Sequence, residues 1–235
     1  MKELADHFFR HEYGRLVAML SRRVGVHHLE SVEDAVQFAL AAAVETWPKA
    51  NVPDNPAAWL FQVAHNHVVS ELRRGVRRAE LDARHDAESW RAESGTPDTF
   101  LAGDVRDDLL RLLFFCCDGA LPAEAQLVLA LKVLCGFDVR EISERLFTSE
   151  ANVYKRLARA RSRLREVGFT LEDLDSTAMA SRLPAVQSIL YVLFTEGYLS
   201  SHADGAIRRE LCGEAIRLTR ELATHPVGAT PDTFA

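Results

Sequence analysis

Cysteine is scarce in this chain and follows no pattern. The four present, Cys116, Cys117, Cys135 and Cys212, never fall in the paired CxxC spacing of a zinc ribbon. Each lies within an apolar helical pattern, so all four are expected to be buried small hydrophobes. The nine histidines offer no more. His7 and His11 share a helical face, as do His65 and Val69, but no carboxylate-plus-histidine set at metal spacing accompanies them. A glycine-rich phosphate loop, a nucleophile elbow and an HExxH are all missing. With no motif for catalysis, no metal site and no cofactor site, an enzyme is not expected.

Long hydrophobic runs are missing as well. "LLRLLFFCC" and "AVQSILYVLF" fall far short of the roughly 20 apolar residues that cross a bilayer, and the charged N-terminus "MKELADHFFRHEYGRL" has no signal-peptide core. No membrane partner is expected, and the cytoplasm is the expected location. A net positive charge is missing too, since the chain carries a formal charge of -6 and a pI near 5.9. Against that balance "KRLARARSRLR", residues 155 to 165, holds six positive charges and no negative one. Such a run repels itself unless a partner of opposite charge meets it.

Alternation at period two is missing throughout; apolar residues recur at three and four, which predicts an all-α chain. Leu4, Phe8, Tyr13, Leu16, Val17 and Leu20 give one amphipathic helix over 3–24. Ser31 with Asp34 resembles a capping box opening a helix from about 32 to 46. Three prolines in "WPKANVPDNP" predict a loop, and Pro56 then starts a helix reaching about residue 78. Residues 80–103 are polar and acid-bearing and read as an interdomain linker. Helices follow over 104–117, 122–135, 138–146 and 149–166, then over 171–180, 182–196 and 204–223. The chain stops at Ala235 just as another helix begins, which suggests a fragment of a longer protein.

Between Val139 and Arg165 a short helix, the turn "FTSE" and a longer basic helix succeed one another. Val153, Leu157, Ala160 and Leu164 step by four, three and four and form one buried stripe. Lys155, Arg159 and Arg163 share another face, with Arg156 beside it. This is the pattern of a helix-turn-helix that enters the DNA major groove. Its cations neutralise phosphates, and Ser149, Asn152, Tyr154, Lys155, Arg156 and Arg159 stand near the end that reaches the bases. The motif alone is equally that of a stand-alone dimeric regulator.

A second motif separates the two readings. Glu33, Asp34, Val36 and Gln37, then Asn55, Pro56, Trp59 and Leu60, then Ala64, Asn66, Arg73 and Arg74 resemble region 2 of the extracytoplasmic-function sigma factors of bacterial RNA polymerase. "EIS" and "V...RLARARSRLR" resemble region 4 of the same family. The resemblance covers about residues 5 to 166. It implies region 2 over 1–79, an acidic linker over 80–103, region 4 over 104–166 and a helical extension over 167–235. It also implies two partners, core RNA polymerase and promoter DNA, and the family often adds an anti-sigma factor. Glu33, Asp34, Gln37 and Leu40 would meet the polymerase. Asn55, Trp59, Asn66, Arg73 and Arg74 would meet the minus-ten element, and the six residues of the basic helix and its turn would meet the minus-35 element. The extension is similar to that of a subgroup with a helical, tetratricopeptide-like C-terminal domain. Its stripes, Leu183, Val186, Leu190, Leu193 and Phe194 and then Ile207, Leu211, Ala215, Leu218 and Leu222, are expected to pack on each other and on one sigma region. Phe147 stands where the family often has glycine, so no left-handed residue is expected in the turn.

Overall fold

Every regular element among the described residues is helical. The structure, a computed structural model, describes residues 2–82, 102–167, 170, 171, 173–199 and 205–234. Most of the expected linker over 80–103 lies outside these residues. So do the side chains of Leu4, Phe8, His7, His11, Ile207 and Leu211.

The first unit comprises α1 (Lys2–Val24), a 3-10 turn (Val26–His28), α2 (Leu29–Ala50) and α3 (Pro56–Asp82). Val32, Ala35, Val36, Ala39 and Ala43 line one buried face of α2, and Leu60, Phe61, Ala64 and Val68 one buried face of α3. Three alanines on that α2 face let the two helices approach closely. The stripe is unbroken.

Two expectations fail here. The Ser31–Asp34 capping box does not form: α2 begins at Leu29, with His28 at its cap and no side-chain bond. The chain enters α2 through backbone bonds instead, Gly25 N–H to the Ser21 carbonyl at 2.9 Å and His28 N–H to the Gly25 carbonyl at 3.1 Å. The expected loop also starts late, because α2 runs through Pro48 to Ala50. Pro48 forfeits one helical bond, but Trp47 beside it packs edge-on against Trp59 of α3, with ring centroids 5.6 Å apart. That contact holds the last turn in place.

The second unit comprises α4 (Ala102–Cys116), α5 (Ala123–Val133), α6 (Val139–Arg145) and α7 (Glu150–Val167). Leu109, Leu112, Leu113, Phe114 and Phe115 of α4 are all buried, and α4 lies against α1 of the first unit. At about 1.5–3 kcal/mol for each large apolar side chain removed from water, this helix is a main source of cohesion. Cys116, Cys117 and Cys135 are buried here, while Cys212 of the extension is only half-buried. Burial pushes the Cys117 thiol up to about 12.

The extension comprises α8 (Ser176–Leu199), α9 (Gly205–Thr224) and α10 (Pro231–Phe234). The expected break near residue 181 is absent, because α8 continues through Pro184. Leu183 and Val186 on either side are buried, and their packing outweighs the roughly 3 kcal/mol that an interior proline costs. As expected, α8 and α9 pack on each other; the sigma-like unit they meet is the second, through α4 and α5. Arg111 of α4 donates to the Leu171 and Leu174 carbonyls at 3.1 and 3.0 Å. A groove of about 300 Å³ between α8, α9 and α10 is lined by Leu190, Tyr191, Phe194 and Ile216. Phe194, expected in the buried stripe, is exposed there.

Candidate nucleic-acid interface

The helix-turn-helix is built by α6, a four-residue turn and α7. Asp138 caps α6: its carboxylate accepts from Glu141 N–H at 2.7 Å, while the Glu141 side chain accepts from Asp138 N–H at 2.8 Å. The helix ends with Thr148 N–H donating back to the Ser143 carbonyl at 3.0 Å, which is the long bond of a Schellman motif. That motif demands a left-handed residue after the cap, and Phe147 supplies it with φ 46. The expectation for Phe147 is therefore overturned. Its side chain is 92% exposed, so no neighbour clashes with it and only the intrinsic cost is borne, about 1–2 kcal/mol.

Phe147→Gly removes that cost and adds chain entropy to the unfolded state, about 0.4–1 kcal/mol. The expected net result is a gain of about 0.5–1 kcal/mol in denaturant unfolding. Phe147→Ala keeps the left-handed strain and should change little; an equal gain in both variants would refute this account.

Ser149 stands at the start of α7 with its hydroxyl turned to the backbone, accepting from Asn152 N–H at 3.3 Å. Asn152 donates through its side chain to Thr148 at 3.3 Å and is exposed. Val153, Leu157, Ala160 and Leu164 are all buried, as their spacing predicts. Tyr154, Lys155 and Arg159 project into solvent and Arg156 is half-buried. The basic face is therefore open at the end of the helix that reaches DNA bases in such motifs.

In the first unit, Asp34 and Gln37 of α2 are exposed and Leu40 is half-buried. Glu33 points inward at 2% exposure. Its carboxylate accepts from Arg161 of α7 at 2.8 Å, and the same guanidinium reaches Glu30 at 3.5 Å. Burial raises the Glu33 pKa, against the lowering pull of Arg161 and Lys132. The sequence reading missed this pairing, since 128 residues separate the partners and nothing in the local pattern of either helix signals it. Tyr13 of α1 lies in the same cluster, its phenol held well above the ordinary range by burial and then by the Glu33 charge.

The α3 residues are spread along one helix. Asn55 caps it, its side chain accepting from Ala58 N–H at 3.0 Å. Trp59 is half-buried against Trp47. Asn66 accepts from Gln62 at 2.9 Å, Arg73 is exposed, and Arg74 pairs with Glu71 at 2.9 Å. His65 is half-buried on Phe61, and its pKa is lowered by burial and then by Arg23. Among the described residues no group of side chains could hold a metal, and no helix is long and apolar enough to cross a membrane.

Comparison with known proteins matches residues 8–78 to sigma-70 region 2, residues 116–164 to sigma-70 region 4, and residues 182–235 to a family of unknown function, DUF6596. An uncharacterised protein of Rhizobium meliloti (strain 1021) is 37% identical over 198 residues, 83% of this chain and 46% of that protein. The chain thus spans under half the length of that relative. The ECF RNA polymerase sigma factor SigL of Mycobacterium tuberculosis is 32% identical over 149 residues, 62% of this chain and 77% of SigL. The ECF RNA polymerase sigma factor SigK of Mycobacterium ulcerans is 29% identical over 165 residues, 68% of this chain and 81% of SigK. No solved structure matches.

Proposed function

The chain belongs to the extracytoplasmic-function sigma factors of the sigma-70 family, and we propose that it carries core RNA polymerase to promoters through two separate DNA-reading units. The observation that carries this reading is α7, whose apolar stripe is buried while Tyr154, Lys155 and Arg159 face solvent. Together with Ser149, Asn152 and Arg156 they meet the minus-35 element, the cations on phosphates and Asn152 or Arg156 on base edges. Asp34 and Gln37, with Leu40, meet the polymerase; Glu33, expected among them, is buried beneath Arg161 and supports that helix from within. Trp59, Asn66, Arg73 and Arg74, on a helix that Asn55 caps, take the minus-ten element, where an aromatic ring and guanidinium groups suit unpaired bases and their phosphates.

Residues 1–79 then act as region 2, 104–166 as region 4, and 80–103 as the acidic connector between them. Opening duplex costs roughly 1.4 kcal/mol per stacked step, so about ten pairs cost on the order of 14 kcal/mol. Two small basic surfaces do not supply that. The chain works only with core polymerase, in the cytoplasm, and an anti-sigma protein is a further partner of the same surfaces. The extension over 167–235 is regulatory and of tetratricopeptide-like kind: its open apolar groove is what one helical repeat presents to the next.

The test is run-off transcription with core polymerase on genomic promoter fragments, comparing the wild-type chain with Arg156→Ala plus Arg159→Ala. Defined start sites, with output reduced roughly tenfold or more in the variant, are expected. Silence with polymerase, combined with specific duplex binding by the chain alone, would overturn the reading in favour of a stand-alone regulator.

A further inference from the structure

Among the described residues Phe147 is the most exposed large apolar side chain, and it is one of two non-glycine residues with positive φ. The other, Asn51, is of a type that visits positive φ readily; a bulky side chain does so rarely. Both features of Phe147 count against stability. The backbone setting favours glycine, and a ring left in water returns nothing from burial. Where a local rule is broken with no gain inside the folded chain, the gain is sought in a contact with something else.

The place of the ring in the fold indicates that partner. Phe147 lies in the turn between α6 and α7, just ahead of Glu150, where α7 begins. The bond from Thr148 N–H to the Ser143 carbonyl, at 3.0 Å, fixes the backbone beside it. Thr148 Oγ1 in turn accepts from the Asn152 side chain at 3.3 Å, so the turn that carries the ring is tied to a residue placed above on base edges. In a helix-turn-helix the second helix contacts base edges with its N-terminal residues, which brings the turn before it to the rim of the major groove. The ring continues the α7 surface without a break.

Its chemistry narrows the contact further. A phenylalanine ring has no donor or acceptor, so it bonds neither to a phosphate nor to the polar edge of a base. Of the groups that base pairs present in the major groove, the apolar one is the C5-methyl of thymine, and phenylalanine is among the side chains that meet it. We propose that Phe147 is a specificity-determining residue whose ring lies on the methyl group of a thymine at the edge of the minus-35 element. The proposal rests on the assignment of α7 to that element. Asn152, Lys155, Arg156 and Arg159 read polar edges and phosphates; the ring adds an apolar reading that none of these four supplies.

Deoxyuridine, which lacks only that methyl group, tests it. The full chain is bound to core polymerase on a promoter it transcribes, and each thymine of the upstream element, on either strand, is replaced in turn. At one position the wild-type complex should bind about fourfold more weakly, the worth of one methyl group removed from an apolar contact. Phe147→Gly should bind the unmodified promoter at least about fourfold more weakly than wild type, although its fold is the more stable, and should be indifferent to deoxyuridine at that position. Phe147→Leu keeps the backbone strain and an apolar group, and should retain most of the affinity. The fall of affinity with salt should keep its slope in Phe147→Gly, because a ring releases no counterion, and should flatten in Arg156→Ala plus Arg159→Ala.

Unchanged promoter affinity in Phe147→Gly would overturn the proposal. So would a loss that deuridination at no thymine reproduces, since the ring would then touch something other than a methyl group. Weaker assembly of Phe147→Gly with core polymerase, measured without DNA, would place the ring on the enzyme and overturn it equally. A wild-type chain that starts no transcription with polymerase would bring down the sigma-factor reading itself, and the proposal with it.

Discussion

Replacing Arg182 with alanine is expected to remove about 3–5 kcal/mol of stability, the cost of breaking a buried ion pair from one side. Arg182 lies in α8 of the extension and donates to Asp118 at 2.5 Å and to the Phe114 carbonyl at 3.3 Å. Neither partner has much access to water, with side-chain exposures of 13% and 9%. The turn that holds Asp118 is itself closed by its own bonds. Ala120 N–H donates to the second carboxylate oxygen at 2.8 Å, and Gln126 donates to the Asp118 and Leu121 carbonyls at 2.9 and 3.1 Å. Alanine at 182 therefore leaves a carboxylate that cannot turn out to water.

At roughly 2–4 °C per kcal/mol for a chain of this size, the melting point should fall by about 10 °C. Arg182→Lys keeps the charge but not the forked reach to the Phe114 carbonyl, and should recover only part of the loss. Limited proteolysis separates local from global effects: cleavage between α7 and α8 should quicken in the alanine variant before the rest of the chain is cut. A loss under about 1 kcal/mol would mean that the pair behaves like a solvent-screened surface bridge. The extension would then be held to region 4 by its apolar contacts and by the Arg111 bonds to the Leu171 and Leu174 carbonyls.

Local periodicity made much of this legible. The stripe Val153, Leu157, Ala160 and Leu164 lies where steps of four, three and four put it, because burial of a helix face is a property of short windows. The same logic failed at Pro48 and Pro184, where a local breaker is overruled by the packing of Trp47 on Trp59 and of Leu183 and Val186 in the core. It failed at Phe147 for the opposite reason. A Schellman closure fixes the backbone there, and solvent makes no steric objection to the ring. The candidate DNA-reading face could be read from charge spacing, but the seam between the units could not. Glu33 and Arg161 each sit in helices whose charges read as solvent-facing, and only the packing of the second unit on the first, through α4 on α1 and α7 on the 3-10 turn, brings them together.

That pair should respond unequally to losing one partner or the other. Glu33 is almost fully buried, and the Arg161 fork reaches it with one nitrogen and Glu30 with another, while its buried Nε has no partner. In Arg161→Met the carboxylate loses its nearest cation and keeps Lys132 and Asp34 as charged neighbours, but it escapes part of the cost by taking up a proton. In Glu33→Gln the guanidinium keeps Glu30 as its carboxylate partner, and the raised Glu33 pKa means that the folded chain already favours a neutral side chain at this position. The larger loss, toward about 3–5 kcal/mol and tempered by that proton uptake, is therefore expected for Arg161→Met.

The pH dependence distinguishes the two further. The Glu33 pKa is already raised in the folded chain, by burial first, so the folded state holds its proton more tightly than the unfolded one. Its contribution is most favourable below the unfolded value of 4.5 and is lost as pH rises through the higher folded value. Arg161→Met raises that folded value further and widens the window of decline, whereas Glu33→Gln abolishes it. Denaturant unfolding from pH 4 to pH 8 should show stability falling more steeply with pH in Arg161→Met than in the wild-type chain, and less steeply in Glu33→Gln. The apolar double replacement Glu33→Met with Arg161→Leu should be near neutral, as it removes both desolvation costs together. Equal pH profiles in the two single variants would mean that the Glu33 carboxylate is hydrated in solution and that α7 is not seated on α2.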